Sequence, residues 1–315
     1  MIKRPLIILT GPTAVGKTEL SIALAKAVDG EIISADSMQV YKEMNIGTAK
    51  ITPQEMIGVP HYLVDEIEPS EEFNVAKFQQ LTIQYMEQIY AKNKVPILVG
   101  GTGFYIQSIL YAVEFTKSPN DMTYRNTLEK LAEEKGLAYL YNMLKEVDPE
   151  ATTTIHQNNV KRVIRALEYY QQTGEKISEH NKKQAKKESP YNFAYFVLND
   201  TRENLYRRID TRIDTMMESG LLKEVQMLKG KGYTKDMVSM QGLGYKEILA
   251  YLDGEITLEE AIYILKRDTR HFAKRQLTWF KRETDVIWIP KNEFQYENAL
   301  ILANMLDILN NKEII

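Results

Sequence analysis

The sequence predicts an α/β protein in which a parallel sheet is flanked by helices and interrupted by an all-helical insertion. Short apolar runs alternate with helical patterns over most of the chain, which is typical of a parallel sheet covered on both faces. From about residue 118 to residue 189 the pattern is helical without a convincing strand. We therefore expect a core of residues 1–117 and 190–315, and an insertion domain of residues 118–189.

The predicted strands are short apolar runs bounded by residues that interrupt a sheet. Residues 6–10 and 95–99 each lead into glycines, residues 191–198 are apolar and aromatic, and residues 286–289 stop at Pro290. Residues 31–35 and 61–64 complete the set. Runs of this kind are expected for strands that are buried on both faces.

The predicted helices carry apolar residues at helical spacing. They cover residues 19–28, 75–91, 204–231, 245–252 and 258–282. Since helices alternate with strands in the first part of the chain, the sheet should be parallel and carry helices on both faces.

Composition limits the function classes. The 315 residues suggest two domains or one domain with an insertion. With a net charge of −3, any surface for nucleic acid must be local. The absence of cysteine excludes disulfides, zinc–thiolate sites and cysteine nucleophiles, and the four histidines form no spaced pair typical of a metal site. No long apolar run or leader-like start occurs, so we expect a cytoplasmic protein without membrane association.

A phosphate-binding motif follows the first predicted strand. Residues 11–18, GPTAVGKT, match G-x-x-x-x-G-K-[ST] between a strand and a helix, which is the context of a P-loop. Its backbone N–H groups can cradle phosphate, Lys17 adds a charge, and Thr18 can bind Mg²⁺. The motif predicts a P-loop NTPase-like core and a bound phosphate group, although it does not identify a nucleotide. The alternative is a chance glycine turn.

A carboxylate lies where a neighbouring strand ends. P-loop ATPases and kinases usually hold Mg²⁺ with an acid at a strand end, but the strand of residues 95–99 runs into Gly-Gly-Thr-Gly. Asp36 instead follows the strand of residues 31–35. It could bind a metal, accept a proton, or only cap the following turn.

Together these segments resemble the tRNA dimethylallyltransferase family, also called tRNA isopentenyltransferases. The resemblance rests on residues 11–18, 35–50 and 100–106, and on residues 162–168, 205–216, 241–247 and 274–280, in family order. It implies transfer of a dimethylallyl group from dimethylallyl pyrophosphate to N6 of adenosine 37 in the tRNA anticodon loop, with release of pyrophosphate. It also implies the compact bacterial type, without the zinc-finger extension of eukaryotic relatives.

The resemblance assigns roles in the reaction. Asp36 would deprotonate N6, while Lys17, Arg208 and Mg²⁺ on Thr18 would stabilise the departing pyrophosphate. The alternative for Arg208 and Arg212 is surface pairing with nearby acids. The expected pyrophosphate-binding residues are Gly11, Pro12, Thr13, Ala14, Val15, Gly16, Lys17, Thr18, Arg208 and Arg212, with Arg208 the better arginine candidate.

Contacts with tRNA are expected from the insertion and from a basic C-terminal helix that carries aromatic residues. Basic groups can neutralise phosphates while aromatic rings stack on unpaired bases. The alternative is an amphipathic helix whose aromatic residues face the core. The expected tRNA-binding residues are Asp36, Ser37, Met38, Gln39, Thr102, Arg125, Lys161, Arg162, Arg165, Gln241, Gly242, Lys274, Arg275, Gln276 and Trp279.

Three other functions compete with this prediction. A small-molecule P-loop kinase would use ATP, an adenylate isopentenyltransferase would modify free AMP or ATP, and a non-catalytic RNA-binding protein would catalyse nothing. A kinase would not need the segment of residues 241–247 or the basic C-terminal helix, and the helical insertion and the basic surface argue against the adenylate isopentenyltransferase. Asp36 beside an intact P-loop argues against the third. We expect a monomer that acts on tRNA.

Overall fold

The structure is a computed structural model, and it describes residues 3–115, 123–185 and 187–315. The chain forms two compact units. The first combines Met1–Leu110 with Pro190–Ile315, and the second is Tyr111–Ser189. The first junction between them precedes the sequence-based boundary at residues 117 and 118, which lies outside the described residues.

A six-stranded sheet of order β3-β2-β4-β1-β5-β6 forms the centre of the first unit, and every neighbouring pair is parallel. All six predicted strands are confirmed, with small differences at their ends. Leu6, Ile7, Ile8 and Leu9 of β1 are fully buried because β1 lies inside the sheet and helices cover its faces. The strands are β1 Arg4–Thr10, β2 Gly30–Ser34, β3 His61–Tyr62, β4 Val95–Gly100, β5 Tyr191–Asn199 and β6 Val286–Pro290.

Thirteen α-helices occur in the described part of the chain. They are α1 Lys17–Ala27, α2 Pro53–Met56, α3 Val75–Ala91, α4 Gly103–Leu110, α5 Thr123–Lys135, α6 Leu137–Val147, α7 Val160–Thr173, α8 Ile177–Ala185, α9 Arg202–Glu218, α10 Leu221–Gly230, α11 Tyr245–Leu252, α12 Leu258–Phe280 and α13 Asn298–Asn311. Side-chain caps mark several of the starts: for example, Asn74 accepts the N–H groups of the first turn of α3, and Thr257 forms a capping box with Glu260 in α12. None of the described helices is long and apolar enough to span a bilayer.

The prediction of one helical stretch over residues 204–231 was wrong. Two helices, α9 and α10, occupy this range, and Gly220 between them has a φ of 101°. Glycine adopts this left-handed conformation without a steric cost, and the backbone N–H groups there can then bond to the last carbonyl groups of the helix. The helix therefore ends at this point. Helices α2, α4 and α13 were not predicted from the sequence.

The second unit is a small helical bundle with its own core. Helices α5, α6 and α7 pack on Leu128, Leu140, Leu144, Val163 and Leu167, each of which is buried. Asp148 closes the bundle by accepting bonds from the backbone N–H and the hydroxyl of Ser178 at 2.9 and 2.7 Å. The unit therefore has the hydrophobic core expected of a separate domain.

All strands of the first unit end at the same edge of the sheet. The P-loop follows β1, Asp36 follows β2, and Gly101 and Lys291 follow β4 and β6. In an open parallel sheet this carboxyl edge is where ligands bind. The fold thus brings the candidate site residues to one place.

Candidate active site

The P-loop forms a cradle between β1 and α1. Ala14 and Gly16 have φ values of 63° and 98°, so the loop turns through the left-handed region before α1 begins. Lys17 folds back across it, and its ammonium donates to the carbonyl oxygens of Gly11 and Pro12 at 2.9 Å each. A loop that leads into the N-terminus of a helix in this way is the arrangement that commonly binds phosphate.

Three effects act on the pKa of Lys17. Burial lowers the pKa of its ammonium to about 8, the nearby guanidinium of Arg212 contributes to this lowering, and the carboxylate of Asp36 opposes both. These effects require Arg212 and Asp36 to lie close to the cradle. The structure thus brings together three of the residues that the sequence analysis singled out.

Both candidate arginines of α9 lie at the cradle. The Nε of Arg208 donates to the carbonyl of Ala14 at 2.7 Å. Burial and the charge of Arg208 lower the pKa of Arg212, and Asp36 again opposes the change. The acids on α9 that could have paired with them pair with α12 instead, Asp210 with Arg270 and Asp214 with Lys266. This arrangement favours phosphate contact over surface pairing.

Asp36 has both a structural contact and a free oxygen. Its Oδ1 accepts the N–H groups of Met38 and Gln39 at 2.8 and 3.2 Å, which closes a turn after β2. Among the described residues, no donor is bonded to its Oδ2. The capping role and a catalytic role are therefore compatible, since each uses a different oxygen.

A buried carboxylate that the sequence analysis missed anchors the loop after Asp36. Glu224 of α10 is 8% exposed and accepts the N–H groups of Asn45, Ile46 and Gly47 at 2.9, 2.8 and 3.1 Å. Its Oε1 also accepts the hydroxyl of Tyr245 at 2.7 Å. Burial raises the pKa of Tyr245, and the charge of Glu224 raises it further. Glu224 therefore holds a loop whose backbone follows the turn at Asp36.

The glycines at the end of β4 allow close approaches. A Cβ on Gly100 would lie 2.2 Å from the carbonyl oxygen of Ala35, and one on Gly101 would lie 2.1 Å from Nε2 of Gln276. Gln276 accepts the N–H of Thr13 at 2.8 Å and donates to the carbonyl of Gly101 at 2.9 Å. Gln276 is 6% exposed and both its polar atoms bond to protein, so it ties the P-loop to the end of β4, while its expected contact with tRNA stays a prediction.

Two segments expected to meet tRNA contact each other. A Cβ on Gly242 would lie 2.4 Å from Cε of Met38, so this glycine gives room for the methionine beside Asp36. Ser37 and Thr102 are half-buried at the same strand ends. The remaining amides are used locally: Gln39 donates to the carbonyls of Thr48 and Ala49, and Gln241 to that of Lys235.

The last turns of α12 form a basic face with one aromatic side chain. A surface depression of about 460 Å³ is lined by His271, Lys274, Arg275, Thr278, Trp279 and Arg282. Trp279 is half-buried with its ring edge-on to Phe104 at 6.2 Å, whereas Phe280 is fully buried. For Phe280 the alternative of a core-facing aromatic is therefore correct, and the exposed face at the last turns of α12 is basic.

The expected tRNA-binding residues of the insertion lie in the second unit. Lys161 and Arg162 are exposed on α7, and Arg165 is half-buried. Arg125 forms a two-bond pair with Glu168 at 2.9 and 2.7 Å, so its guanidinium already has a protein partner. Lys161 and Arg162 are therefore the more accessible cations.

Comparisons with known proteins agree on one family. The pattern that defines the IPP transferases matches residues 39–283. The chain is 62% identical over 312 residues to the tRNA dimethylallyltransferase of Lachnoclostridium phytofermentans, with 99% of both chains covered. The crystal structure of the tRNA isopentenylpyrophosphate transferase of Bacillus halodurans matches with a TM-score of 0.74 and 43% identity, over 99% of this chain and 98% of that one. A eukaryotic dimethylallyltransferase acting on tRNA matches with a TM-score of 0.80 and 33% identity, over 91% of this chain and 74% of that one.

Proposed function

The chain belongs to the IPP transferase family, and we propose that it moves a dimethylallyl group from dimethylallyl pyrophosphate to N6 of adenosine 37 in tRNA. As a member of this family the protein is a transferase that prenylates tRNA. The observation that carries the finer proposal is that the P-loop, the cations of Lys17, Arg208 and Arg212, and the carboxylate of Asp36 meet at one site. The first group suits a pyrophosphate, and the carboxylate suits an amine nucleophile.

The donor site fits a pyrophosphate that carries no nucleoside. The cradle offers backbone N–H groups and three cationic side chains, which match the charge that accumulates on a departing pyrophosphate. Thr18 is exposed in the first turn of α1. The described residues contain no cluster of three or more acidic or histidine side chains for a metal. Mg²⁺ commonly keeps waters and phosphate oxygens as ligands, so Thr18 could supply the protein's share.

The acceptor chemistry requires a base. The N6 amine of adenine is a weak nucleophile because its lone pair is delocalised into the ring. In the reaction a bond forms between N6 and C1 of the dimethylallyl group while the C1–O bond breaks, and the electron pair leaves with pyrophosphate. Asp36 Oδ2 would accept the hydrogen bond of N6 and then its proton. The base must leave the anticodon stack to reach this carboxylate.

The decisive experiment combines the purified protein with unmodified tRNA, Mg²⁺ and dimethylallyl pyrophosphate. Mass spectrometry of the digested tRNA should reveal the prenylated adenosine, and sequencing of its fragments should place it at position 37. Parallel reactions replace the tRNA with AMP or the donor with ATP. Prenylated AMP would favour the adenylate transferase, and hydrolysis of ATP or phosphate transfer would favour the kinase.

Donor binding should weaken as the pH rises above about 8. Because the pKa of Lys17 is lowered to about 8, the free protein loses this positive charge through that value, whereas a bound pyrophosphate favours the charged form. The dissociation constant should therefore rise by up to about tenfold per pH unit. The donor itself stays fully ionised in this range, since the second pKa of a phosphate is about 6. Isothermal titration at a series of pH values measures the effect.

A Lys17→Arg variant is the matched control for this titration. Its guanidinium stays charged over the whole range, so the dissociation constant should lose its dependence on pH. An equal dependence in both proteins would mean that another group titrates.

We also propose that tRNA binds the basic face of α12. Reversing Lys274 and Arg275 to glutamate should weaken tRNA binding, reduce the slope of log Kd against log salt by about 1 for each phosphate that the protein no longer neutralises, and leave donor affinity unchanged. Filter binding at several salt concentrations measures both quantities. Glutamate at Lys26 and Lys312, which are exposed on α1 and just after α13, gives the same change in net charge. If this control pair weakens binding as much, bulk charge and not the face of α12 holds the tRNA.

The insertion is proposed as a second tRNA contact. Lys161 and Arg162 are the exposed cations singled out on α7, and the unit that carries them has its own core. Charge reversal at these two residues, measured in the same tRNA-binding assay, tests this contact independently of the contact at α12.

A further inference from the structure

Lys291 lies at the carboxyl edge of the sheet and had no role in the sequence analysis. It begins a short 3₁₀ turn, Lys291–Phe294, directly after β6. Pro290 at the end of β6 pairs with Asn199 at the end of β5, and β5 in turn pairs with β1, which leads into the P-loop. The register of the sheet therefore carries Lys291 to the level of the P-loop.

The side chain of Lys291 enters the P-loop itself. It is 7% exposed, and its Nζ donates to the carbonyl of Val15 at 3.3 Å. A Cβ on Gly16 would lie 3.0 Å from this Nζ and 3.3 Å from Nη2 of Arg208. Two cationic groups thus converge on the glycine that precedes α1.

Lys291 has no matching negative charge in the part of the chain that the structure describes. Asp200 and Glu19 are the acids that act on it electrostatically, but neither forms an ion pair with it. Asp200 already accepts bonds from the N–H of Thr201 and the side chain of Asn204, at 2.7 and 2.5 Å. Burial lowers the pKa of Lys291, and the charge of Arg208 lowers it further. A buried cation without a carboxylate partner is unfavourable unless an anion joins it.

We propose that Lys291 is a further pyrophosphate-binding residue, which holds the leaving group together with Arg208 at the N-terminus of α1. This inference rests on the proposed function. Lys17 reaches the cradle along the P-loop, while Lys291 and Arg208 approach at Gly16, so the two sets of cations approach from different elements. The competing explanation is a purely structural contact in which Lys291 only satisfies the carbonyl of Val15.

The test measures binding of inorganic pyrophosphate, with Mg²⁺, by isothermal titration. Lys291→Met removes the charge and keeps a similar length, so affinity should fall about 10- to 100-fold, the loss expected for one charge-assisted hydrogen bond. Lys291→Arg should retain most of the affinity. Lys26→Met, at an exposed position of α1, is the matched control and should bind as the unaltered protein does. An unchanged affinity in Lys291→Met would overturn the proposal.

A second measurement uses the unaltered protein, in case Lys291→Met folds poorly. With ¹³C-labelled lysine, the Cε resonance of Lys291 is identified by its absence from Lys291→Arg. Addition of pyrophosphate should shift this resonance together with that of Lys17, and leave that of Lys26 in place. A shift at Lys17 without one at Lys291 would show that the pyrophosphate site exists and that Lys291 is outside it. If neither shifts, the proposed donor site itself fails.

Discussion

Replacing Asp36 with asparagine is expected to slow single-turnover prenylation of tRNA by about 10²- to 10⁴-fold, the usual contribution of a general base. The amide oxygen of asparagine can still accept the N–H groups of Met38 and Gln39, so the turn after β2 should persist. The amide cannot take a proton from N6. Rapid quenching with excess enzyme and a labelled donor measures the chemical step separately from product release.

A second variant separates the two roles of Asp36. Asp36→Ala removes the turn contacts as well as the base, and its unfolding temperature should fall below that of Asp36→Asn. Donor affinity in Asp36→Asn should change little at a pH well below 8, where Lys17 stays protonated without the support of the Asp36 charge. If Asp36→Asn reacts at nearly the normal rate while Asp36→Ala is slow, the residue is a cap and not a base.

The sheet was predictable from the sequence because its strands are local signals. Residues 6–10 and 96–98 are buried, so both runs are apolar without alternation, and each strand leads into glycine. The break between α9 and α10 was also encoded locally, by Gly220, but helical periodicity on both sides concealed it. Such errors concern the ends of elements and leave the order of the strands unchanged.

Residues that position the site were not predictable in the same way. Glu224 was not singled out, and Gln276 was named only for a contact with tRNA. Each lies in a helix far along the chain from the backbone that it binds, and an acid or an amide in a helix is typical of solvated positions. Lys291 follows the last strand, where a lysine gives no signal of burial. Only the register of the sheet and the packing of α10 and α12 bring these side chains to the loops after β1 and β2.

The concentration of positive charge explains why this site should favour an anionic ligand. Arg208 lowers the pKa of Arg212 and of Lys291, and Arg212 lowers that of Lys17, in each case after the effect of burial. Mutual repulsion between these cations destabilises the free protein. The negative charge of a bound pyrophosphate offsets this repulsion, so binding is favoured. Side chains whose interaction with the leaving group strengthens as negative charge develops there are those that accelerate the chemical step.

Removing these cations one at a time should therefore lower kcat as well as donor affinity. Lys17→Met and Arg208→Ala should each reduce kcat by about 10²- to 10³-fold, the cost of losing one preorganised donor to a developing anion. Arg208 holds the carbonyl of Ala14 and approaches Gly16, so its loss affects the cradle directly. Steady-state kinetics with saturating tRNA measures kcat and KM for the donor.

Arg212→Ala should alter the pH dependence of donor binding, because the charge of Arg212 lowers the pKa of Lys17. Loss of its charge should raise the pKa of Lys17, so the pH above which donor binding weakens should move upward. Arg270→Ala should show no such shift, because in the unaltered protein the guanidinium of Arg270 pairs with Asp210. A large fall in kcat for Arg212→Ala with little change for Arg208→Ala would reverse the assignment of the two arginines. If neither substitution alters kcat or KM, the pair is structural, and the cradle relies on Lys17 and the backbone alone.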